Sequence, residues 1–284
     1  MLTWLLPPQV ASIAGVAGDI SDGLRERLRA AGLDPRSMFV PGRGAWEVWL
    51  LLRDRWGRRA TLVDLYELEA AERGIGLECL PKADRSRLRL AARPVCYPGR
   101  QPALPGSDRP GDPHEISEYD PAWAARFADW RSRLAAALGA AATRIDHVGS
   151  TAVPGLAAKP VIDIMISVPD TGDEPSYLPA CLAVGLILRM REEGHRLLWP
   201  PPASPREVHV HVCDFGGEWA RDELLFRDYL RSDPAIRAKY SALKRDLVAR
   251  WQDDRQAYME AKTAFVLDAL EQARGWAADS GWSP

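Results

Sequence analysis

The segment Val161–Val168, VIDIMISV, constrains the chain more than any other eight residues. Successive side chains of an extended strand point to opposite faces. Ile162, Ile164, Ile166 and Val168 therefore share one face, and Val161, Asp163, Met165 and Ser167 share the other. The first face is a core face, while the second carries a carboxylate. A later segment, EVHVHVC, alternates in the same way, with Val208, Val210 and Val212 on one side and Glu207, His209, His211 and Cys213 on the other. A strand that is apolar on one face and rich in functional groups on the other lines a site or meets water. The chain is thus expected to build a sheet with one buried face and one working face.

Helices are expected to cover that sheet. In DPAWAARFADWRSRLAAALG, Asp120 is a candidate N-cap and Pro121 a first helical residue, and Trp123, Phe127, Trp130, Leu134 and Leu138 recur at steps of three or four. TRIDHV follows as a short strand, and the chain closes in helices over LLFRDYLRSDP, AIRAKYSALKRDLVARW and DRQAYMEAKTAFVLDALEQARGW. Before all of these, the proline- and glycine-crowded stretch from Cys96 to Glu115 reads as a linker. It divides residues 1–95, a small N-terminal α+β domain, from a linker at 96–114 and a second domain at 115–284. In the first domain SDGLRERLRAAGLDP predicts a helix capped by Ser21 and stopped at Gly32 and Pro35, and TLVDLYELEAAERG a helix capped by Thr61 and Asp64 and stopped at Gly74. EVWLLLRDRW, Glu47 to Trp56, reads as a strand. Trp46, Trp49 and Trp56 serve either core packing or ligand stacking.

With 284 residues and 46 % hydrophobic content the chain can bury one large or two modest cores. A net charge of −2 gives no general electrostatic case for nucleic acid or membrane as partner, and no stretch of about eighteen apolar residues suggests a membrane span. Cys79, Cys96, Cys181 and Cys213 show no CxxC pairing, and MLTWLLPPQV lacks the pattern of a signal peptide, so a reduced cytoplasmic setting is expected. All five histidines fall at or after residue 114, which places the expected chemistry in the second domain.

HVGSTAVPGLAAKP joins the two candidate site strands. Backbone N–H groups of a tight Gly149–Ser150 turn can converge on phosphate oxygens, with Thr151 continuing the turn, the Ser150 hydroxyl adding a donor and Lys159 a point charge. Asp163 is placed either to hold a divalent metal beside those phosphates or to accept hydrogen bonds from loop amides. Met165 is too soft a donor for magnesium, so Glu207 is the economical source of a second acid. His209 and His211 stand on one strand face, where they serve phosphate or substrate binding, proton transfer, or a zinc-type site completed by Glu207 or Cys213. Arg227 and Arg231, four apart on a helix, either reach one anion together or pair with Asp228, Asp222 or Glu223.

Six ordered blocks, YDPAW, HVGSTAVPGLAAKPVIDI, HVHV, LFRDYLR, YSALKRDL and YMEAKTAF, give residues of about 115–275 a resemblance to the GrpB family, a branch of the polymerase-beta-like nucleotidyltransferase superfamily. The resemblance implies an α+β fold, a mixed sheet flanked by helices, with the Gly-Ser loop at a nucleotide site. Gly149, Ser150 and Asp163 match the superfamily's loop and first acid, whereas Met165 stands where a second acid would be. The implied activity is that of a nucleotide-dependent transferase using ATP or another nucleoside triphosphate with Mg²⁺, nucleotidylating or activating a small-molecule acceptor. On this reading Asp163 and Glu207 are the metal ligands, and Asp163, Glu207, His209 and His211 the catalytic set. Gly149, Ser150, Thr151, Lys159, Arg227 and Arg231 then contact the nucleotide. A non-catalytic nucleotide- or phosphate-binding module is the alternative, followed by a metal-dependent hydrolase built on the H-x-H strand.

Overall fold

The computed structural model describes residues 20–35, 39, 43–57, 60–96, 115–251 and 254–284. The chain divides into two compact units, Met1–Ala92 and Arg93–Pro284. Residues 97–114 of the expected linker lie outside the described residues, and Cys96 ends a helix.

The elements described in the first unit are helices: α1 (Asp22–Ala30), α2 (Ala45–Trp56), α3 (Leu62–Glu72), a short 3-10 turn, and α4 (Lys82–Cys96), which runs past the unit's last residue. Ser21 Oγ accepts the Leu24 amide at 3.3 Å, and Leu24 and Leu28 are fully buried. Thr61 and Asp64 form the reciprocal capping box that their spacing predicts. The strand expected over Glu47–Trp56 is instead α2, a correction that makes the described part of this unit helical. Its run of apolar residues has no clean alternation, and Ala45, Val48, Trp49 and Leu52 bury one helical face while Leu50 and Leu51 stay exposed. Glu47 accepts the Gly44 amide at 3.0 Å and so caps the start. Trp49 belongs to the core, with Nε1 donating to the Thr61 carbonyl at 2.7 Å.

The second unit is a mixed sheet between helices. After α5 (Ala122–Leu138) come β1 (Arg144–Val148), β2 (Ile162–Val168), α6 (Glu174–Ala183), β3 (Ile187–Glu192), β4 (His195–Trp199) and β5 (Val208–Asp214). Then follow α7 (Glu218–Ser232), α8 (Pro234–Arg250) and α9 (Arg255–Ser280). The strand order is β1-β2-β5-β4-β3, with only β2 and β5 parallel. Ile162, Ile164, Ile166, Val168, Val208, Val210 and Val212 form one apolar face, packed with Trp123, Trp130, Leu134 and Leu138 of α5 and with Tyr177 and Cys181 of α6. On the opposite face Val148, Met165 and Cys213 pack with Ala220 and Leu224 of α7. A third cluster ties α7 to α8 and α9 through Leu225, Tyr229, Tyr240 and Leu270.

The alternation of both site strands is therefore realised, one face to α5 and α6 and the other to α7. Among the described residues no helix is long and apolar enough to cross a membrane. Ile164 is fully buried at the centre of the sheet, whereas Leu182 on α6 is 46 % exposed. Ile164→Ala should lower unfolding free energy by about 2–5 kcal/mol and Leu182→Ala by less than about 0.5 kcal/mol, read from urea denaturation.

Candidate active site

Strand pairing places the central residues. β1 runs antiparallel to β2 with Val148 opposite Asp163, so the turn leaving β1 begins beside that carboxylate. Parallel pairing sets Asp163 opposite His209 and Met165 opposite His211. Gly149 has φ +69° and ψ −171°, a region open in practice only to glycine. A Cβ there would lie 3.0 Å from both Cβ and Cγ of Asp163 and closer still to Oδ2. The turn and the carboxylate thus touch, and glycine is what permits the approach.

Asp163 gathers histidines. His209 Nδ1 lies 3.0 Å from Asp163 Oδ1, and Arg206 Nε donates to His209 Nε2 at 3.0 Å. An ionised carboxylate only accepts and the guanidinium only donates, so His209 is neutral with its proton on Nδ1. Burial agrees, pushing the His209 pKa down against the pull of Asp163. His211 Nε2 stands 3.9 Å from the same carboxylate oxygen. Burial would raise the Asp163 pKa, but the hydrogen bond from His209 and the nearness of His211 outweigh it and hold the carboxyl below the usual range. Its side chain is 28 % exposed, open to a ligand. Trp199 packs at 5.6 Å from His209, and Trp219 stacks at 5.2 Å on His211.

The loop has its own supports. Lys244 of α8, only 2 % exposed, donates from Nζ to Ser150 Oγ at 3.0 Å and to the Ala157 carbonyl. Burial pushes its pKa down to about 7, helped by Lys262 and Arg245 and opposed by Asp163. Arg227 donates to the His147 carbonyl at 3.1 Å and forks onto Asp228 at 2.7 and 2.9 Å. Arg231 donates twice to the Ala152 carbonyl, at 3.0 and 2.7 Å. Both arginines therefore grip the loop from either side of Gly149 and Ser150, combining the expected pairing with Asp228 and a loop-holding role that their spacing did not suggest. Thr151 is buried, donating to the Val161 carbonyl at 3.2 Å and accepting from His147 Nε2 at 3.0 Å. Burial lowers the His147 pKa to about 4, and its ring stacks on Phe127 at 4.6 Å. Lys159 places Nζ 4.4 Å from the Tyr258 ring centroid.

Glu207 stands just before β5 with an exposed side chain. The acid coupled electrostatically to His211 and Asp163 is instead Glu223 of α7, whose pKa burial raises, with His211 working against it and Asp163 adding to it. Trp219, Glu223, Arg227 and Arg231 fall at successive steps of four along α7, so extending the arginine spacing backwards would have found the first two. Lys244 lies inside a block that carries the family resemblance, whereas nothing in the sequence marks His195, which stacks on Trp219 at 4.5 Å.

Among the described residues no three His, Cys, Asp or Glu side chains could together hold a metal ion. One carboxylate oxygen of Asp163 is occupied by histidine, the other faces the Gly149 backbone, and Met165 is fully buried in apolar surroundings. This donor set does not fit a protein-held magnesium pair. It offers proton handling.

Gly149→Ala should cost about 1–3 kcal/mol for the backbone alone, with a further penalty from Asp163 that the double variant with Asp163→Ala relieves, measured as a urea double-mutant cycle. Lys244 titrates near 10.5 when unfolded and near 7 in the fold, so between those values the unfolded chain binds more protons. Stability should rise with pH across that window, by at most about 1.4 kcal/mol per pH unit, and Lys244→Met should remove this slope.

The GrpB protein family model matches residues 113–272. A UPF0157 protein of Streptomyces coelicolor is 45 % identical over 158 residues, covering 56 % of this chain and 83 % of that protein. A dephospho-CoA kinase of Mycolicibacterium paratuberculosis is 35 % identical over 200 residues, covering 61 % of this chain but 49 % of that protein. The crystal structure of GrpB from Enterococcus faecalis superposes with a TM-score of 0.52 at 31 % identity, covering 57 % of this chain and 99 % of that one. With its mixed sheet, its Gly-Ser turn and the matched span all in the second unit, the chain belongs to the GrpB family.

Proposed function

We propose that the chain is a nucleotide-dependent transferase that nucleotidylates or otherwise activates a small acceptor, with ATP or another nucleoside triphosphate as donor. The observation that carries this reading is the meeting of three groups at one place: the Gly149 turn packed on Asp163, and the Lys244 ammonium on Ser150 Oγ. A polyphosphate laid on the turn would find the Ser150 hydroxyl and the Lys244 charge on one side. An acceptor hydroxyl or amine would meet a carboxylate kept ionised on the other. In the transfer the acceptor's oxygen or nitrogen bonds to phosphorus, the bond to the leaving phosphate breaks, and the acceptor's proton passes into the Asp163–histidine cluster. Asp163 orients the acceptor. His211 is the proton's first stop, since both ring nitrogens of His209 are engaged.

The dephospho-CoA kinase named above is, by its name, a nucleotide-related transferase, and this chain matches 49 % of its length, which accords with the same broad class here. A second reading, nucleotide binding without turnover, is favoured by the two arginines: Arg227 and Arg231 spend their donors on loop carbonyls and Asp228.

Calorimetry with ATP, with and without Mg²⁺, should show binding that Lys244→Met weakens about tenfold, the loss of about 1.4 kcal/mol. Pyrophosphate or phosphate release over pooled acceptors should vanish in Asp163→Asn with the fold intact. Full retention of rate would remove Asp163 from the chemistry, tight binding with no turnover would favour the binding module, and no nucleotide binding at all would end both readings.

A further inference from the structure

A file of polar side chains leads away from Asp163 through His211. Glu192 ends β3 and His195 begins β4, across a tight turn that contains Gly194 at φ +65°. Antiparallel pairing of β4 with β5 then brings His195 diagonal to His211. Glu192 Oε2 lies 3.5 Å from His195 Nδ1, and His195 Nε2 lies 2.9 Å from His211 Nδ1. His211 Nε2 completes the file at 3.9 Å from Asp163 Oδ1.

The two imidazole rings are within 14° of parallel. Trp219 stacks on both, its ring centroid 4.5 Å from His195 and 5.2 Å from His211. The indole thus walls the file and fixes both rings. Exposure falls along it from 28 % for the Asp163 side chain through 19 % for His211 to 8 % for His195, and returns to 28 % at Glu192. The buried middle is imidazole, and the outer end is a carboxylate in reach of water.

The geometry points to a proton relay in which Asp163, His211, His195 and Glu192 pass one proton between the site and solvent. A proton arriving at His211 Nε2 from the Asp163 side releases the proton on His211 Nδ1 to His195 Nε2. The proton on His195 Nδ1 then passes to Glu192 and on to water. On each ring one N–H bond forms and one breaks, neither ring keeps a net charge, and passage in the opposite sense restores the starting tautomers. His195 and Glu192 act through His211 and are positioning residues. The relay rests on the proposed transfer, in which the bound acceptor covers the Asp163 end and the proton it loses there leaves by the Glu192 end.

Other groups act on the file electrostatically. His209 and His147 face Asp163, and Glu223 on α7 faces both Asp163 and His211. Arg206 bears on His209, Lys244 and Tyr240 on Asp163, Lys262 on Glu223, and Arg196 holds the backbone carbonyls of Glu192 and His195.

Long-range ¹H–¹⁵N spectra of the full chain labelled with ¹⁵N-histidine report, across pH, which ring nitrogen holds the proton. His195 and His211 should titrate as a coupled pair. Glu192→Gln, a change near the surface, should move the His211 transition to lower pH by a few tenths of a unit, although Glu192 does not touch that ring. Glu193→Gln, which removes the neighbouring exposed carboxylate, should leave it in place. His195→Gln should uncouple His211 from Glu192, and the glutamate variants keep the test alive if that protein fails to fold. Independent titration of the two rings, or equal effects of Glu192→Gln and Glu193→Gln, overturns the relay. The spectra need no nucleotide, so coupled rings without nucleotide binding would overturn the transferase and leave the proton path standing, whereas turnover with uncoupled rings would overturn the relay alone.

Discussion

The parallel pairing of β2 with β5 is the constraint on which the site depends. It brings Asp163 beside His209 and sets Met165 beside His211, while the intervening isoleucines and valines enter the core. Side chains alternate with a period of two, so a slip of one residue would turn both histidines into the apolar face and bring a valine to Asp163. The register is held by burial on that face, where seven branched side chains of β2 and β5 pack under α5 and α6. Hydrophobic packing on one side of the sheet therefore sets the polar geometry on the other.

Charge in the site is held by opposing effects of comparable size. Burial raises the Asp163 pKa, and two imidazoles pull it below its ordinary range. Burial lowers the pKa of Lys244 to about 7, yet the ammonium has the Ser150 hydroxyl and the Ala157 carbonyl as acceptors. Glu223 is pushed the other way, toward its neutral form. Groups balanced like this change protonation when a charged ligand arrives, which suits the polyphosphate contact proposed for the turn.

Much of this was legible in the sequence. Strict alternation in β2 and β5 located the sheet, its core face and the Asp163–His209–His211 side, because a period of two has one structural meaning. Ser21, Thr61 and Asp64 announced their helices by capping chemistry that acts within three residues. The failure at α2 has the converse cause: a continuous apolar run satisfies strand and helix alike, and only tertiary burial of Val48, Trp49 and Leu52 decides. In the site, the illegible parts arrive from elsewhere in the chain. His195 reaches His211 through a hairpin with no sequence signature, and Lys244 reaches Ser150 across 94 residues. Arg227 and Arg231 were visible as a pair, but their partners are backbone carbonyls, which look alike in every sequence.

Those carbonyl contacts have a mechanical side. Arg227 holds the chain just before Gly149 and Arg231 holds it just after Ser150, and both side chains spring from one rigid helix. The turn is therefore a passenger of α7 rather than a free hinge. It opens when both guanidinium anchors and the Lys244 bond from α8 let go together, so amide exchange at the turn would keep time with the helices that hold it instead of with the adjoining strand.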